Sequence, residues 1–164
     1  VTKTGPGSLT LNTTNTLANA ATTPLTISEG SIVLGGSSNI NNGNYASPIV
    51  NSAELIHESS ANQTLSGAIT GTGSISKNVA SSTLTLAGMN TYSGPTTINS
   101  GSVVFAGSST IGSVSVADGA TLGAKVANPS VTALKPASLT FEQAAVLAIA
   151  REGPAIGAAV QHQA

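Results

Sequence analysis

The chain has no cysteine and no tryptophan, so neither a disulfide framework nor a thiolate metal site is open to it. Charge is scarce: Asp, Glu, Lys and Arg make 7% of the residues, against about 25% in an ordinary soluble protein. Five basic residues, six acidic ones and a formal net charge of -1 leave no cluster of Lys and Arg to neutralise phosphates. A nucleic-acid partner is therefore not expected. Aromatic residues are 2% of the total, too few for the stacking platforms of single-strand binders or for most sugar-binding grooves. No apolar run approaches the roughly 20 residues of a membrane-spanning helix, and no basic, apolar, small-residue leader opens the sequence. Val1 in place of Met reads as a processed or excised segment.

What is present is Ser, Thr, Asn and Gly around short aliphatic bursts. A mean hydropathy of +0.24 with so little charge is the opposite of a disordered composition. The 164 residues suit one folded body with a real core. Apolar residues recur at period two, as at Leu9 and Leu11, Leu84 and Leu86, Val114 and Val116, which is strand periodicity. Gly35-Gly36, Asn42-Gly43, Ser93-Gly94-Pro95 and Asp118-Gly119 separate the bursts with turn chemistry. Residues 1–126 read as many short strands. Residues 127–164 read as a linker and a helical segment, because Phe141 to Arg151 contain no Gly or Pro and are rich in helix formers. The expected helix covers 140–151, with Ser138 or Thr140 as N-cap and Gly153-Pro154 as the stop. Phe141, Ala144, Ala145, Leu147 and Ala148 give it an apolar side with which to cap the strands.

Internal repetition carries the fold assignment. Residues 1–38 align with 75–109: Lys3 on Lys77, Leu9-Thr10-Leu11 on Leu84-Thr85-Leu86, Asn15-Thr16 on Asn90-Thr91, Thr26-Ile27 on Thr97-Ile98, and Gly30 to Leu34 on Gly101 to Phe105. The offset exceeds the 20 to 45 residues of a usual structural repeat, so one copy spans about three coils. The expected fold is all-β, a right-handed parallel β-helix with a short C-terminal α-helix. At about 20 residues per coil, residues 1–126 make about six coils. Leu84, Leu86, Ile98, Val103 and Phe105 are expected to point inward and to stack with Leu9, Leu11, Ile27, Ile32 and Leu34 or their equivalents.

The stretch from Leu84 to Ser102, with Leu84-Thr85-Leu86, Gly88, Asn90-Thr91-Tyr92, Gly94, Thr96-Thr97-Ile98 and Asn99, resembles the passenger-associated transport repeat of Gram-negative autotransporters. Gly71-Thr72-Gly73 and Lys77 supply the opening of that motif. The resemblance covers residues 67–123 well and 1–38 in decayed form, where Leu17 replaces the Tyr. It implies a secreted or cell-surface β-helical passenger, exported by a membrane barrel that lies elsewhere, and says little about activity.

Candidate chemistry is sparse. Glu54, His57 and Glu58 form the densest ionisable cluster, yet residues four apart on a strand lie about 13 Å from each other, beyond the roughly 5 to 9.5 Å of glycosidase carboxylate pairs. The cluster reads as a solvated strand edge. Asp118-Gly119 reads as a turn, Gly71-Thr72-Gly73 as a bend, and Asn39 to Tyr45 as a structural loop in preference to a recognition loop. Ser74 and Ser76, Thr83 and Thr85, and Ser113 and Ser115 are too irregularly spaced along the chain to predict a flat hydroxyl face. No catalytic, cofactor-binding or metal-binding residue is assigned, and no cofactor is expected. The leading expectation is a non-enzymatic structural or adhesive stalk segment that contacts host surfaces or matrix. A self-associating filament subunit, stacked end to end, is the alternative, and a polysaccharide-acting β-helix is the enzyme reading.

Overall fold

A computed structural model describes residues 1–17, 22–126 and 134–151. Strands of two to six residues dominate, with two longer ones at Ser74–Leu86 and Thr96–Phe105, and the pairings between strands are parallel. Three ladders run along the molecule. The first takes Thr2–Lys3, Leu25–Ile27, Ile49–Asn51 and Ile69–Thr70 in turn. Backbone hydrogen bonds of Thr91 to Ile69 and of Thr110 to Asn90 carry it on to Ser109–Ile111 and Leu134–Pro136. The second takes Ser8–Leu11, Ser31–Leu34, Glu54–His57, the first halves of the two long strands, Val114–Val116 and Leu139–Phe141. The third takes Asn44–Tyr45, Gln63–Leu65, the second halves of the long strands, Thr121–Val126 and Val146–Arg151. The product is a parallel β-solenoid of about six turns, as the repeat implied. Rung lengths vary around the expected 20 residues: Thr96 pairs with Val114, a step of 18, and Val114 with Leu139, a step of 25.

Period-two alternation sends every second side chain inward, and parallel register stacks these into columns. One inward column of the third ladder reads Tyr45, Leu65, Leu86, Phe105, all at 1% exposure or less. Ile27, Ile32, Leu34, Leu84, Ile98 and Val103 are likewise buried. Leu9 departs from expectation at 41% exposed, and Leu11 is half-buried. Both sit on the outermost described rung of their ladder, which is paired on one side only, with Ser31–Leu34.

The repeat also resolves differently from a simple stack of equivalent coils. Leu9 stands in register with Ile32, Leu55 and Ile75 on the second ladder, whereas its repeat partner Leu84 lies on the third. Lys3 lies on the first ladder and Lys77 on the second. Three coils and one further face separate the copies. What recurs is a corner: an alanine at Gly30 (φ 69°) would strike Gly5 O at 2.7 Å and Lys3 Nζ at 2.9 Å, and one at Gly101 (φ 76°) would strike Ser82 O at 2.9 Å and Lys77 Nζ at 3.0 Å. In both copies the Lys ammonium donates to carbonyls of the corner, Lys3 to Thr4, Gly5 and Glu29 and Lys77 to Val79.

The expected C-terminal helix is not formed. Leu139–Phe141 pairs with Val114–Val116, and Val146–Arg151 pairs over its whole length with Thr121–Val126. Helix propensity differs among these residues by less than about 1 kcal/mol each, while an open strand edge offers a full set of backbone partners. The segment accordingly extends the ladders instead of capping them. Its apolar side chains remain accessible, with Leu147 42% and Ile149 58% exposed. The proposed stop at Gly153-Pro154 lies outside the described residues.

Candidate functional site

Strand parity splits the Glu54, His57, Glu58 cluster. Glu54 is half-buried and accepts a hydrogen bond from Ser76 Oγ at 3.1 Å. Glu58 is exposed and accepts from Asn78 Nδ2 at 3.0 Å, and Asn78 Oδ1 accepts in turn from Asn99 Nδ2 at 2.8 Å. His57 faces the core at 1% exposed, which corrects the solvated-edge reading for that residue: alternation from buried Leu55 turns it inward. It occupies a column that reads Leu11, Leu34, His57, Lys77, Ile98, Val116, Phe141. Two basic groups thus follow each other in an otherwise apolar stack, and Lys77 is fully buried.

Burial and, secondarily, the Lys77 charge lower the His57 pKa to about 4, with the backbone of His57 and Ala61 opposing more weakly. Neither ring nitrogen has a hydrogen-bond partner of ordinary geometry. Burial lowers Lys77 to about 8. Both shifts follow from the cost of a charge away from water. Among the described residues no Asp or Glu is buried, and no group of three or more His, Asp or Glu is placed to hold a metal. His57 therefore has no carboxylate to orient it and no adjacent hydroxyl bonded to it, the two relations a nucleophile–base relay needs.

Several other buried polar groups complete the ladders at corners. Ser59 Oγ donates to Ser38 O at 2.5 Å, and Ser82 Oγ to Ser59 O at 2.6 Å, one coil to the next. Gln63 Oε1 accepts from Ile40 N at 2.7 Å. Asn90 accepts from Ile69 N at 3.0 Å through Oδ1 and donates through Nδ2 to Gly88 O and Ser109 Oγ. Each amide serves where the strand pairing lapses and a buried backbone donor would be orphaned. The Asn39–Tyr45 loop follows the same rule. Asn41 and Asn42 take positive φ of 50° and 53°, Asn41 pairs through its amide with both backbone groups of Leu17, and Tyr45 is buried. Asp118 Oδ1 accepts from Ala144 N at 2.8 Å, tying its turn to the next coil. Register brings the scattered hydroxyls together after all: Ser76, Thr97, Ser115 and Thr140 form one outward column.

Residues 81–105 match the family described as passenger-associated-transport-repeat. The chain carries that repeat inside a β-solenoid. No curated protein matches the chain, and no solved structure does. The matched residues have structural tasks. Leu84, Leu86, Ile98, Val103 and Phe105 fill the core, Asn90 bridges two corners, and Tyr92 Oη shares a 2.6 Å hydrogen bond with Thr96 Oγ1 in the interior. Tyr92→Phe removes one hydroxyl, strands that of Thr96 and should cost about 1–3 kcal/mol in urea denaturation. Adding Thr96→Val should recover part of the loss, because no buried polar group is then left unpaired; a further loss of equal size would show that the pair is not the cause.

Proposed function

We propose that the chain is a non-catalytic segment of a secreted or cell-surface passenger, a β-solenoid that spaces or displays and makes contacts along its sides. The observation that carries this reading is the transport-repeat match at residues 81–105, whose Leu84, Leu86, Asn90, Tyr92, Ile98, Gly101, Val103 and Phe105 serve packing, corners and ladder hydrogen bonds. The sides carry small neutral groups such as the Ser76, Thr97, Ser115, Thr140 column, a surface suited to weak contact over a large area with host surfaces or matrix. Placed between a secretion leader and an outer-membrane translocator barrel, the chain should reach the cell exterior, where added protease cleaves it and antibody labels it. Retention in the periplasm under conditions in which a known passenger is exported would reject the reading. Turnover of glycans or esters that is lost on changing Glu54, His57 or Glu58 would establish the enzyme reading instead.

The apolar side chains on the outermost described rungs support a second reading, end-to-end association into a filament. Leu9 is 41% exposed at one end, and Leu139 and Val146 are 41% and 47% exposed at the other. Light scattering and negative-stain microscopy separate the two: monodisperse monomers at high concentration reject the filament.

A further inference from the structure

His57 and Lys77 are neighbours on adjacent strands of one ladder, paired in register. Such rungs lie about 4.8 Å apart. Leu34 closes the column on the His57 side and Ile98 on the Lys77 side, in the same register, and both are at most 1% exposed. Water therefore does not reach either base along the stack. Lys77 has a partner in Val79 O, whereas both His57 nitrogens lack one of ordinary geometry. The equivalent corner at Lys3 offers a contrast. Its column continues to Ile27 and Asn51, with no second base, and Lys3 is only half-buried.

Among the described residues no anion stands within the stack to balance two positive charges. Of the two strands paired with Glu54–His57, Ser31–Leu34 holds no ionisable side chain and Ser74–Leu86 none but Lys77, and the strands Ile49–Asn51 and Gln63–Leu65 before and after it in the chain hold none. Glu54 and Glu58 are engaged outside, by Ser76 and Asn78. Tyr45, on the third ladder, is held neutral, because burial raises its pKa.

We propose that the step between the strands Glu54–His57 and Ser74–Leu86 is an acid-sensitive joint: it accommodates one positive charge, on Lys77, and opens when His57 takes a second. The joint is built into the solenoid itself and stands whether or not the chain works as a passenger.

The direction of the effect follows from the proton balance. The folded chain holds His57 neutral down to about pH 4, while the unfolded chain protonates it near 6.5. The unfolded state therefore binds more protons between those values, so stability falls as the pH drops from 6.5 towards 4 and the loss is complete below 4. The folding equilibrium constant should fall about 100-fold across that window.

The test uses the full chain. Melting by circular dichroism from pH 7.5 to 3.5 should show the fall in wild type and little of it in His57→Leu, which restores an apolar column. Hydrogen exchange at pH 4, corrected for the intrinsic rate, should lose protection first at 54–57 and 74–77, by tenfold or more relative to 96–98. An equal fall in His57→Leu, or uniform loss of protection, would overturn the joint. If His57→Leu does not fold, NMR titration of His57 in wild type still decides, since a pKa near 6.5 contradicts the proposal and one near 4 supports it.

Discussion

Gly88→Ala should destabilise the solenoid by about 3 kcal/mol or more, the upper end of what overpacking costs, and is expected to remove cooperative unfolding at ambient temperature. A methyl group there would press on the backbone of the coil beneath, with Gly67 C at 2.5 Å and Ala68 N at 2.8 Å. These are main-chain atoms held by their own ladders, so no side chain can swing aside. Gly67 stands in the same way over Ser47, and Gly107 over Gly88 itself. Relief at one coil therefore moves the strain to the next. A matching line runs through Gly73, Gly94 and Gly112 at the neighbouring corner. At the spacing that the ladder hydrogen bonds impose, these two corners leave no room for a Cβ. Gly7→Ala is the control, since a Cβ there meets nothing within 4 Å and the substitution should stay within about 0.5 kcal/mol. Urea denaturation of both variants reads the difference directly. Equal, small losses would mean that the coils can separate at this corner at little cost.

Much of this architecture was legible from residue order because a solenoid repeats one local rule. Period two located the strands, Gly and Asn located the corners, and the recurrence of Lys, Leu-Thr-Leu and Gly showed that coils stack. What the linear sequence withheld was how the coils are phased. An offset of three coils and one face looks like three coils until Leu84 is seen beside Gln63 and Val103 and not in line with Leu9. The hydroxyl column was hidden for the same reason, since unequal rungs scramble its spacing along the chain while the ladder restores it. His57 was misread because charge was weighed above parity: alternation from Leu55 already put it inside. The helix expected over 140–151 gives way to strands because local helix propensity is a small quantity beside the backbone pairing that an existing strand edge provides. The amide bridges of Gln63 and Asn90 had no signal in the sequence apart from the Asn of the transport-repeat motif, because their partners lie 19 to 23 residues away.

Leu86→Ala should cost about 2–5 kcal/mol, and Leu9→Ala about 1 kcal/mol or less, although both belong to the Leu-Thr-Leu motif that the two repeat copies share. Leu86 is fully buried, with Leu65 on the strand to one side and Phe105 on the strand to the other. Truncation there removes contacts in both directions along the column and leaves a cavity between coils whose spacing the ladder hydrogen bonds hold, which argues for the upper half of the range. Leu9 is paired on one side only, with Ile32, and is 41% exposed, so its methyl groups are partly hydrated before the change and leave no enclosed space after it. The comparison also tests the one-face offset between the repeat copies. If the copies were equivalent coils of one stack, the two truncations would cost similar amounts and would weaken the same ladder. The observed register predicts instead that Leu86→Ala lowers hydrogen-exchange protection along the third ladder, at 63–65, 84–86 and 103–105, and leaves the second ladder at 31–34 close to its wild-type value. Loss spread evenly over both ladders, or a Leu9→Ala cost equal to that of Leu86→Ala, would reject that register.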